Sequence, residues 1–381
     1  MSAPRVLSIL RPQIRLSRSP VFLPRAITYQ SFSTSIRRTD KEGDGDRPQG
    51  AHPTKHESRP VSSGEPVAEY VKEDESKRAG LPEEPKKTPS PEAPPSKANP
   101  APLASLPAQD LFSLKNRTVI ITGGGRGLGM TIARACLDSG ANVRCLDLLP
   151  EPSQPQWDEA QDLASSKGLE ITYHILDVTD KQAVMTVFSD LFKMDKNVEN
   201  PIRGLFVAAG IQIMMPALEY SSEKFRKLVD INLTGTFLCA QAFANEWLKV
   251  NPNIDGEAGK GGASIAMTGS MSGHVANLGL ECVAYNASKA GVNQLAKNLA
   301  MEWSQKGIRV NTLSPGYIRT ALTAAQLDEK PELLKIWLQG SLMGRLSTPD
   351  EFRGPALYLL SDASSFMTGA DLLVDGGHTA T

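Results

Sequence analysis

Two residues four positions apart carry groups suited to proton transfer. Tyr285 and Lys289 lie in a stretch whose pattern predicts a helix over residues 284–305, so their side chains share one helix face. A free tyrosine has a pKa of about 10 and keeps its proton at neutral pH. A neighbouring ammonium favours the phenolate, so we expect Lys289 to lower the pKa of Tyr285 and make it a general acid or base. The same spacing arises by chance in many helices, and its meaning depends on what surrounds it.

A serine and an asparagine extend this set. Ser272 lies thirteen residues before Tyr285, just after a predicted strand, and we expect its hydroxyl to hold a substrate oxygen beside the phenol. Ser270 is the competing candidate in the same loop, where serine also serves as a turn former. Asn232 falls inside a predicted helix over residues 222–250, an unfavourable place for asparagine. We expect it to hold a water that feeds protons toward Lys289, and a helix bend is the alternative.

A glycine-rich segment directly follows the first predicted strand and opens a helical pattern. Its first glycine permits a tight turn, a middle one lets the backbone approach a pyrophosphate, and the last lets the helix pack closely on the sheet. A pyrophosphate then lies at the helix N-terminus, where free N–H groups favour an anion. This context predicts a dinucleotide site made of Thr122, Gly123, Gly125, Arg126, Gly127, Leu128 and Gly129.

The acidic residue at the end of the second predicted strand bears on which dinucleotide binds. Asp147 lies eighteen residues after Gly129, where a carboxylate accepts hydrogen bonds from the adenosine ribose and repels a 2′-phosphate. Arg126 instead favours NADP, since its guanidinium can pair with the 2′-phosphate. We expect NAD to be preferred and NADP to be possible. After the third strand, Asp177 and Val178 are expected to contact adenine. After the fourth strand, Ala209 and Gly210 are expected to line the cofactor along the sheet edge.

The wider pattern alternates short apolar runs with helical stretches, which predicts βαβ units and one parallel sheet. The fold class is therefore α/β, a single doubly wound Rossmann domain with a seven-stranded sheet, covering residues 109–381. The predicted strands are 118–122, 142–147, 170–176, 204–208, 263–268, 308–314 and 371–374. Predicted helices fall near 131–139, 181–194, 222–250, 284–305 and 349–361.

Taken in order, these motifs resemble the short-chain dehydrogenase/reductase family from about residue 112 to residue 381. The glycine loop, Asn232, Ser272, the Tyr285/Lys289 pair and a Pro-Gly turn after the sixth strand all match. The resemblance implies that Tyr285 is the acid/base, that Ser272 orients the carbonyl, that Lys289 binds the nicotinamide ribose and that Asn232 completes a proton relay. It also implies that the residues next to the nicotinamide carboxamide are Pro315, Gly316, Ile318 and Thr320. One departure is Val-Ala-Ala-Gly at residues 207–210 in place of the family's Asn-Asn-Ala-Gly.

The substrate is less sharply indicated. Residues 270–274 and 375–379 resemble the branch of the family that acts on sugar alcohols and ketoses, such as mannitol, arabinitol or sorbose. A 3-oxoacyl-thioester reductase of mitochondrial fatty acid synthesis is one alternative, and a catalytically silent nucleotide-binding regulator is another. An amphipathic segment, 317–345, is expected to cover the site, with partly apolar walls formed by Met214, Met215, Leu278, Leu280 and Trp337. The resemblance further implies a homotetramer.

The amino-terminal part has a different composition. Residues 1–38 hold seven arginines and several serines, with no acidic residue before Asp40, which predicts a mitochondrial presequence over 1–39 and a location in the matrix. Residues 40–108 are rich in Pro, Glu and Lys, and predict a disordered linker. The net charge of −1 gives no indication of nucleic acid, and no apolar run is long enough for membrane insertion. The four cysteines and five histidines match no metal-site spacing.

Overall fold

A computed structural model describes residues 106–195, 199–252, 262–320, 323, 327 and 331–380. The predicted presequence, 1–39, and the predicted linker as far as residue 105 lie outside this part of the chain. The described residues all fall within the second of two units into which the chain divides, Pro85–Thr381. Within them, no helix is long and apolar enough to cross a bilayer.

Seven parallel strands form one sheet in the order β3-β2-β1-β4-β5-β6-β7. The order reverses between β1 and β4, so crossover connections place helices on both faces and leave a crevice at the carboxyl ends of these strands. The predicted doubly wound α/β fold is confirmed. The strands are β1 (Thr118–Thr122), β2 (Asn142–Asp147), β3 (Ile171–Ile175), β4 (Ile202–Val207), β5 (Ala263–Thr268), β6 (Ile308–Pro315) and β7 (Asp371–Val374).

The helices pack against both faces of the sheet and divide the core into two layers of buried side chains. Central strands are buried on both sides, with every residue of β1 inaccessible, and this explains why the strands read as continuous apolar runs. The helices are α1 (Gly127–Asp138), α2 (Gln156–Ser166), α3 (Lys181–Met194), α4 (Ser222–Val229), α5 (Gly235–Val250), α6 (Val283–Trp303), α7 (Glu332–Gly340) and α8 (Arg353–Leu360).

Two helical predictions need correction. The helix expected over residues 222–250 is divided, because a π-helical turn, Asp230–Thr234, separates α4 from α5. Helix α2 was not predicted at all. Its mean composition is polar and it buries only Trp157, Ala160 and Ala164, so the apolar stripe is too thin to reveal its period.

Candidate active site

The loop between β1 and α1 is closely packed on one side and open on the other. Gly123 has φ +68°, and a Cβ there would lie 2.7 Å from the carbonyl carbon of Ala208. A Cβ on Gly129 would overlap the carbonyl oxygen of Gly123. Gly127, with φ +54°, differs because a Cβ there would meet nothing within 4 Å. The loop thus leaves open space at the glycine where a pyrophosphate is expected to approach the backbone, so these residues fit a dinucleotide.

Asp147 ends β2 with its carboxylate held against this loop. Oδ2 accepts a hydrogen bond from the Gly125 N–H at 2.9 Å, and Oδ1 accepts one from the Leu149 N–H at 3.2 Å. Arg126 is exposed and occupies the N-cap position of α1. A fixed negative charge and a free positive charge therefore border the region expected for the adenosine ribose.

The residues expected near adenine are divided between the surface and the interior. Asp177 is exposed, and its Oδ1 accepts hydrogen bonds from the backbone N–H (2.9 Å) and hydroxyl (2.7 Å) of Thr179. Val178 is buried, and a Cβ on Gly235 would lie 2.7 Å from its Cγ2. Asp177 stabilises the turn before α3, and Val178 packs beside α5.

The segment after β4 is held by the backbone and by Thr122, without the asparagines usual in the resembled family. The Ala208 N–H donates to the Thr122 carbonyl at 3.0 Å, and the Ala209 N–H donates to Thr122 Oγ1 at 3.3 Å. A Cβ on Gly210 would lie 3.2 Å from Asn232 Oδ1 and 3.8 Å from Lys289 Nζ. These contacts bring the segment expected to line the cofactor against the expected catalytic residues.

The segment expected to border the nicotinamide leaves the same edge of the sheet. Pro315 ends β6, and the Gly316 N–H donates to the carbonyl of Val374 at 3.0 Å. Ile318 forms an isolated parallel bridge with Ser347, and the Thr320 N–H donates to Thr323 Oγ1 at 2.8 Å. The backbone after β6 is therefore fixed to β7 and to the segment that precedes α8.

Tyr285 and Lys289 lie on one face at the start of α6, as predicted. Lys289 Nζ is 5.6 Å from the centroid of the Tyr285 ring and donates to the carbonyl oxygen of Thr268, the last residue of β5, at 2.7 Å. Lys289 is buried and Tyr285 is half-buried. The phenol and the ammonium therefore meet at the carboxyl edge of β5, where ligands bind in open sheets.

The serine paired with the phenol is Ser270. A side-chain hydrogen bond with Ser270 lowers the pKa of Tyr285, and Ser270 Oγ also accepts the backbone N–H of Ser272 at 3.1 Å. Ser272 thus contacts Ser270 through its backbone N–H. Ser270, the competing candidate, is the serine that acts on the phenol's pKa, and the orienting role expected for Ser272 stays a prediction. A short 3-10 turn, Met271–Gly273, begins right after Ser270 and contains Ser272, so the two serines have different backbone conformations.

Burial dominates the titration of both groups. It raises the pKa of Tyr285 above its ordinary value, while the hydrogen bond from Ser270 lowers it and nearby Cys282 raises it further. Burial also lowers the pKa of Lys289 to about 8. Lys289 was expected to bring the phenol's pKa below its ordinary value, and this is corrected: removal from water is the largest influence on that pKa and raises it.

Asn232 lies in the π-helical turn, and both polar atoms of its side chain are hydrogen-bonded to other residues of the chain. Oδ1 accepts from the Ile211 N–H at 2.9 Å, and Nδ2 donates to the Ile211 carbonyl at 2.9 Å and to Ser288 Oγ at 3.2 Å. Its own carbonyl accepts the Thr236 hydroxyl at 2.7 Å. Asn232 therefore joins the segment after β4 to α6. The expected water relay stays a prediction.

A polar wall that the sequence did not indicate stands beside Tyr285. The Cys282 thiol contacts Asn286 Oδ1 at 3.0 Å, Asn286 Nδ2 donates to Asn277 Oδ1 at 3.1 Å, and Asn277 Nδ2 donates to the Tyr317 hydroxyl at 3.4 Å. Tyr317 stacks on Trp337 of α7, with centroids 4.4 Å apart. Asn286 follows Tyr285 directly in the sequence, but only the fold brings Asn277 and Tyr317 to it.

The apolar wall expected from the sequence is only partly formed. Trp337 is buried against Tyr317, whereas Leu278 is largely exposed. Met214, Met215 and Leu280 are partly buried, so the five residues do not share one degree of exposure.

Comparison with known proteins identifies the family. Residues 123–379 match a family model described as enoyl-(acyl carrier protein) reductase. A short-chain dehydrogenase/reductase of Aspergillus versicolor, notP′, is 46% identical over 75% of this chain and 94% of that protein. The crystal structure of gox2181 superimposes with a TM-score of 0.64 at 34% identity, covering 72% of this chain and all of that one. The chain belongs to the short-chain dehydrogenase/reductase family and is an NAD(P)-dependent oxidoreductase.

Several relatives carry more specific names. The sorbose reductase sou1 of Schizosaccharomyces pombe is 37% identical over 70% of this chain and 98% of its own. An NADP-dependent mannitol dehydrogenase of Hypocrea jecorina is 35% identical over 71% and 95%. An NADH-dependent L-xylulose reductase of Ambrosiozyma monospora is 35% identical over 71% and 97%. Both cofactors therefore occur among similar proteins.

Proposed function

We propose that this enzyme interconverts a secondary alcohol and a ketone on a polyhydroxylated carbon chain, a sugar alcohol and its ketose. One observation carries the proposal: Ser270, Tyr285 and Lys289 converge at the carboxyl edge of the sheet, beside a loop that fits a dinucleotide. The relatives named for sorbose and mannitol support the substrate class. The amide and hydroxyl groups of the neighbouring wall support it as well, since they suit a substrate with several hydroxyls.

The roles of the site residues follow from their chemistry. In the direction of reduction, the Tyr285 hydroxyl gives its proton to the substrate oxygen, and the Ser270 hydroxyl holds that oxygen by a hydrogen bond. A raised pKa keeps the phenol protonated at neutral pH and suits it to this direction. Lys289 has donors beyond the one used on Thr268 and would hold the nicotinamide ribose. The nicotinamide, when bound, supplies or accepts the hydride.

We propose NAD as the preferred cofactor. The Asp147 carboxylate is fixed by two backbone N–H groups at the glycine loop, and a 2′-phosphate next to it would be repelled. Arg126 is exposed and acts in the opposite sense. The ratio of kcat/KM for NAD to that for NADP measures the outcome directly. A ratio above one supports the proposal, and a ratio below one shows that Arg126 prevails.

Turnover of a substrate panel tests the substrate class. Mannitol, arabinitol, sorbose and a 3-oxoacyl thioester are supplied to the purified protein, and the absorbance of the reduced nicotinamide is followed. We expect turnover of at least one polyol or ketose, with a higher kcat/KM than for the thioester. A preference for the thioester would instead indicate an acyl reductase. Cofactor binding without turnover of any compound would point to a regulator.

We also propose that residues 1–39 direct the protein to the mitochondrial matrix. The proposal rests on the seven arginines and the lack of acidic residues before Asp40. A fluorescent protein fused to these residues should enter mitochondria, and the same fusion with the arginines changed to glutamine should stay outside. Equal distribution of the two fusions would refute the proposal.

A further inference from the structure

A hydrogen bond between His274 and Asp371 lies directly behind the loop that carries Ser270. His274 Nε2 is 2.7 Å from Asp371 Oδ2, and the Asp371 side chain is mostly buried. The other carboxylate oxygen of Asp371 accepts the hydroxyls of Thr312 at 2.5 Å and Ser314 at 2.7 Å. Asp371 begins β7, and both hydroxyl residues belong to β6. The carboxylate is thus fixed to the sheet, and the imidazole is held by a rigid acceptor.

The protonation of the imidazole follows from these contacts. A lone pair on Nε2 would face a carboxylate oxygen at 2.7 Å, so Nε2 carries the hydrogen and donates to Asp371. Asn293 Nδ2 lies 3.0 Å from the same nitrogen, which would set two donors against each other, while Asn293 Oδ1 is buried with no partner. Reversing the amide removes the first conflict, because the oxygen then faces the imidazole N–H. His274 therefore binds Asp371 and Asn293 together.

The hydrogen-bonded residues His274, Asp371 and Asn293 lie close to the catalytic residues, both along the chain and in the packing. His274 is four residues after Ser270, and Asn293 is one helical turn beyond Lys289 on α6. Gly269 lies between Ser270 and Thr268, whose carbonyl accepts the Lys289 ammonium. A Cβ on Gly269 would lie 2.5 Å from the terminal atom of the Asn293 amide that points away from His274, Oδ1 before the reversal, and would overlap Ser314 Oγ. The hydrogen-bonded cluster therefore supports, from behind, the two loop positions that bond to Tyr285 and Lys289.

We propose that His274 and Asp371 are positioning residues, which hold the Ser270 loop against α6 and so keep Ser270 on the phenol. They touch neither substrate nor cofactor in this role. The proposal rests on the catalytic roles proposed for Ser270 and Tyr285, and it adds the reason why the loop keeps its geometry. Loss of the His274–Asp371 hydrogen bond frees one end of the loop, and the Ser270 to Tyr285 hydrogen bond weakens.

The pH–rate profile separates this role from general stabilisation. The Ser270 bond lowers the pKa of Tyr285, so weakening that bond raises it. For His274→Ala, we expect kcat for alcohol oxidation to fall about tenfold and the rising limb of its pH profile to move to higher pH. The Kd for NADH should change less than threefold. His274→Gln, whose amide N–H can still reach Asp371, should restore most of kcat and the wild-type limb.

Two further variants keep the test decisive. Asp371→Asn should reproduce the His274→Ala phenotype, and the double variant should be no worse than either single one. His174→Gln is the matched control, because that imidazole contacts Thr172 in β3, away from the site, and it should leave the profile unchanged. The proposal would be overturned if the pH–rate profile of His274→Ala matched that of the wild type. It would also be overturned if the fall in kcat were fully explained by a lower melting temperature. Inactive wild-type enzyme would instead contradict the proposed function.

Discussion

At the scale of the residue, the pKa of the Tyr285 phenol is raised by burial and lowered by a neighbouring hydroxyl. Burial keeps its proton on, and Ser270 is the neighbour that favours the charged form. Sequence spacing predicted the phenol, the lysine and their shared helix face. It favoured Ser272 over Ser270 from spacing alone, although that choice depends on the turn conformation right after β5. The choice between them therefore needed the structure.

Paired serine variants test that choice. We expect Ser270→Ala to lower kcat by about a hundredfold, since it removes a group that holds the substrate oxygen. Ser272→Ala should lower kcat less than threefold, because Ser272 contributes its backbone N–H and the substitution keeps that group. Steady-state kinetics on whichever polyol is turned over measures both. The reverse ranking would restore Ser272 as the orienting residue.

The buried Lys289 predicts a specific dependence of stability on pH. Its pKa falls from 10.5 to about 8 on folding, so between these values the unfolded state binds more protons than the folded state. The free energy of unfolding should therefore rise with pH across this window, by roughly 1 kcal/mol per pH unit. Urea unfolding at pH 8, 9 and 10 measures the slope, with Lys289→Met as the reference that lacks it. If the free energy of unfolding changed with pH by the same amount in both proteins, the lowered pKa of Lys289 would be contradicted.

At the scale of the element, the strands were easier to predict than the helices. Central strands of a parallel sheet are buried on both faces, so each leaves a continuous apolar run in the sequence. Helix α2 buries only three residues and left no clear period. The π-helical turn at Asn232 was equally hidden, since α4 and α5 continue one apolar pattern across it. The unfavourable asparagine was its only sign in the sequence.

The β1–α1 connection gives a prediction at this scale. Gly129→Ala should lower the free energy of unfolding by at least about 2 kcal/mol and weaken cofactor binding, because its methyl group would overlap the carbonyl of Gly123. Gly354→Ala in α8 is the control, since a Cβ there meets nothing, and it should be neutral or stabilising by up to about 1 kcal/mol. Chemical unfolding and NADH fluorescence titration provide the two measurements. Equal stability of the two variants would show that the close approach is not required.

At the scale of the whole molecule, large apolar side chains are exposed on several elements of the described residues, and two sets of them bear on assembly. Phe225 of α4 and Val283 and Met301 of α6 form one set, and Leu373 of β7 with Phe366 forms the other. The family resemblance implies that the helical stretch 222–250 and the Tyr285 helix pair between subunits, and that the C-terminal strand adds a second interface. We propose a homotetramer in which both surfaces are covered, since apolar groups gain free energy when they leave water.

Sedimentation velocity tests this assembly. The wild-type protein should sediment as a tetramer, and Met301→Glu should reduce it to dimers by placing a charge in one of the two interfaces. Met194→Glu changes a similarly exposed methionine at the end of α3 and should leave the tetramer intact. A monomeric wild-type protein, or the same response from both variants, would contradict the proposed interfaces.

The central claim is that Tyr285 transfers the proton to and from the substrate oxygen, and Tyr285→Phe tests it most directly. The substitution removes one hydroxyl and leaves the ring in place, so the Kd for NADH should stay within about threefold of the wild-type value. The kcat should fall by roughly a thousandfold, within the range attributed to general acid–base catalysis. A variant that binds the cofactor normally and keeps more than a tenth of the wild-type kcat would contradict the account.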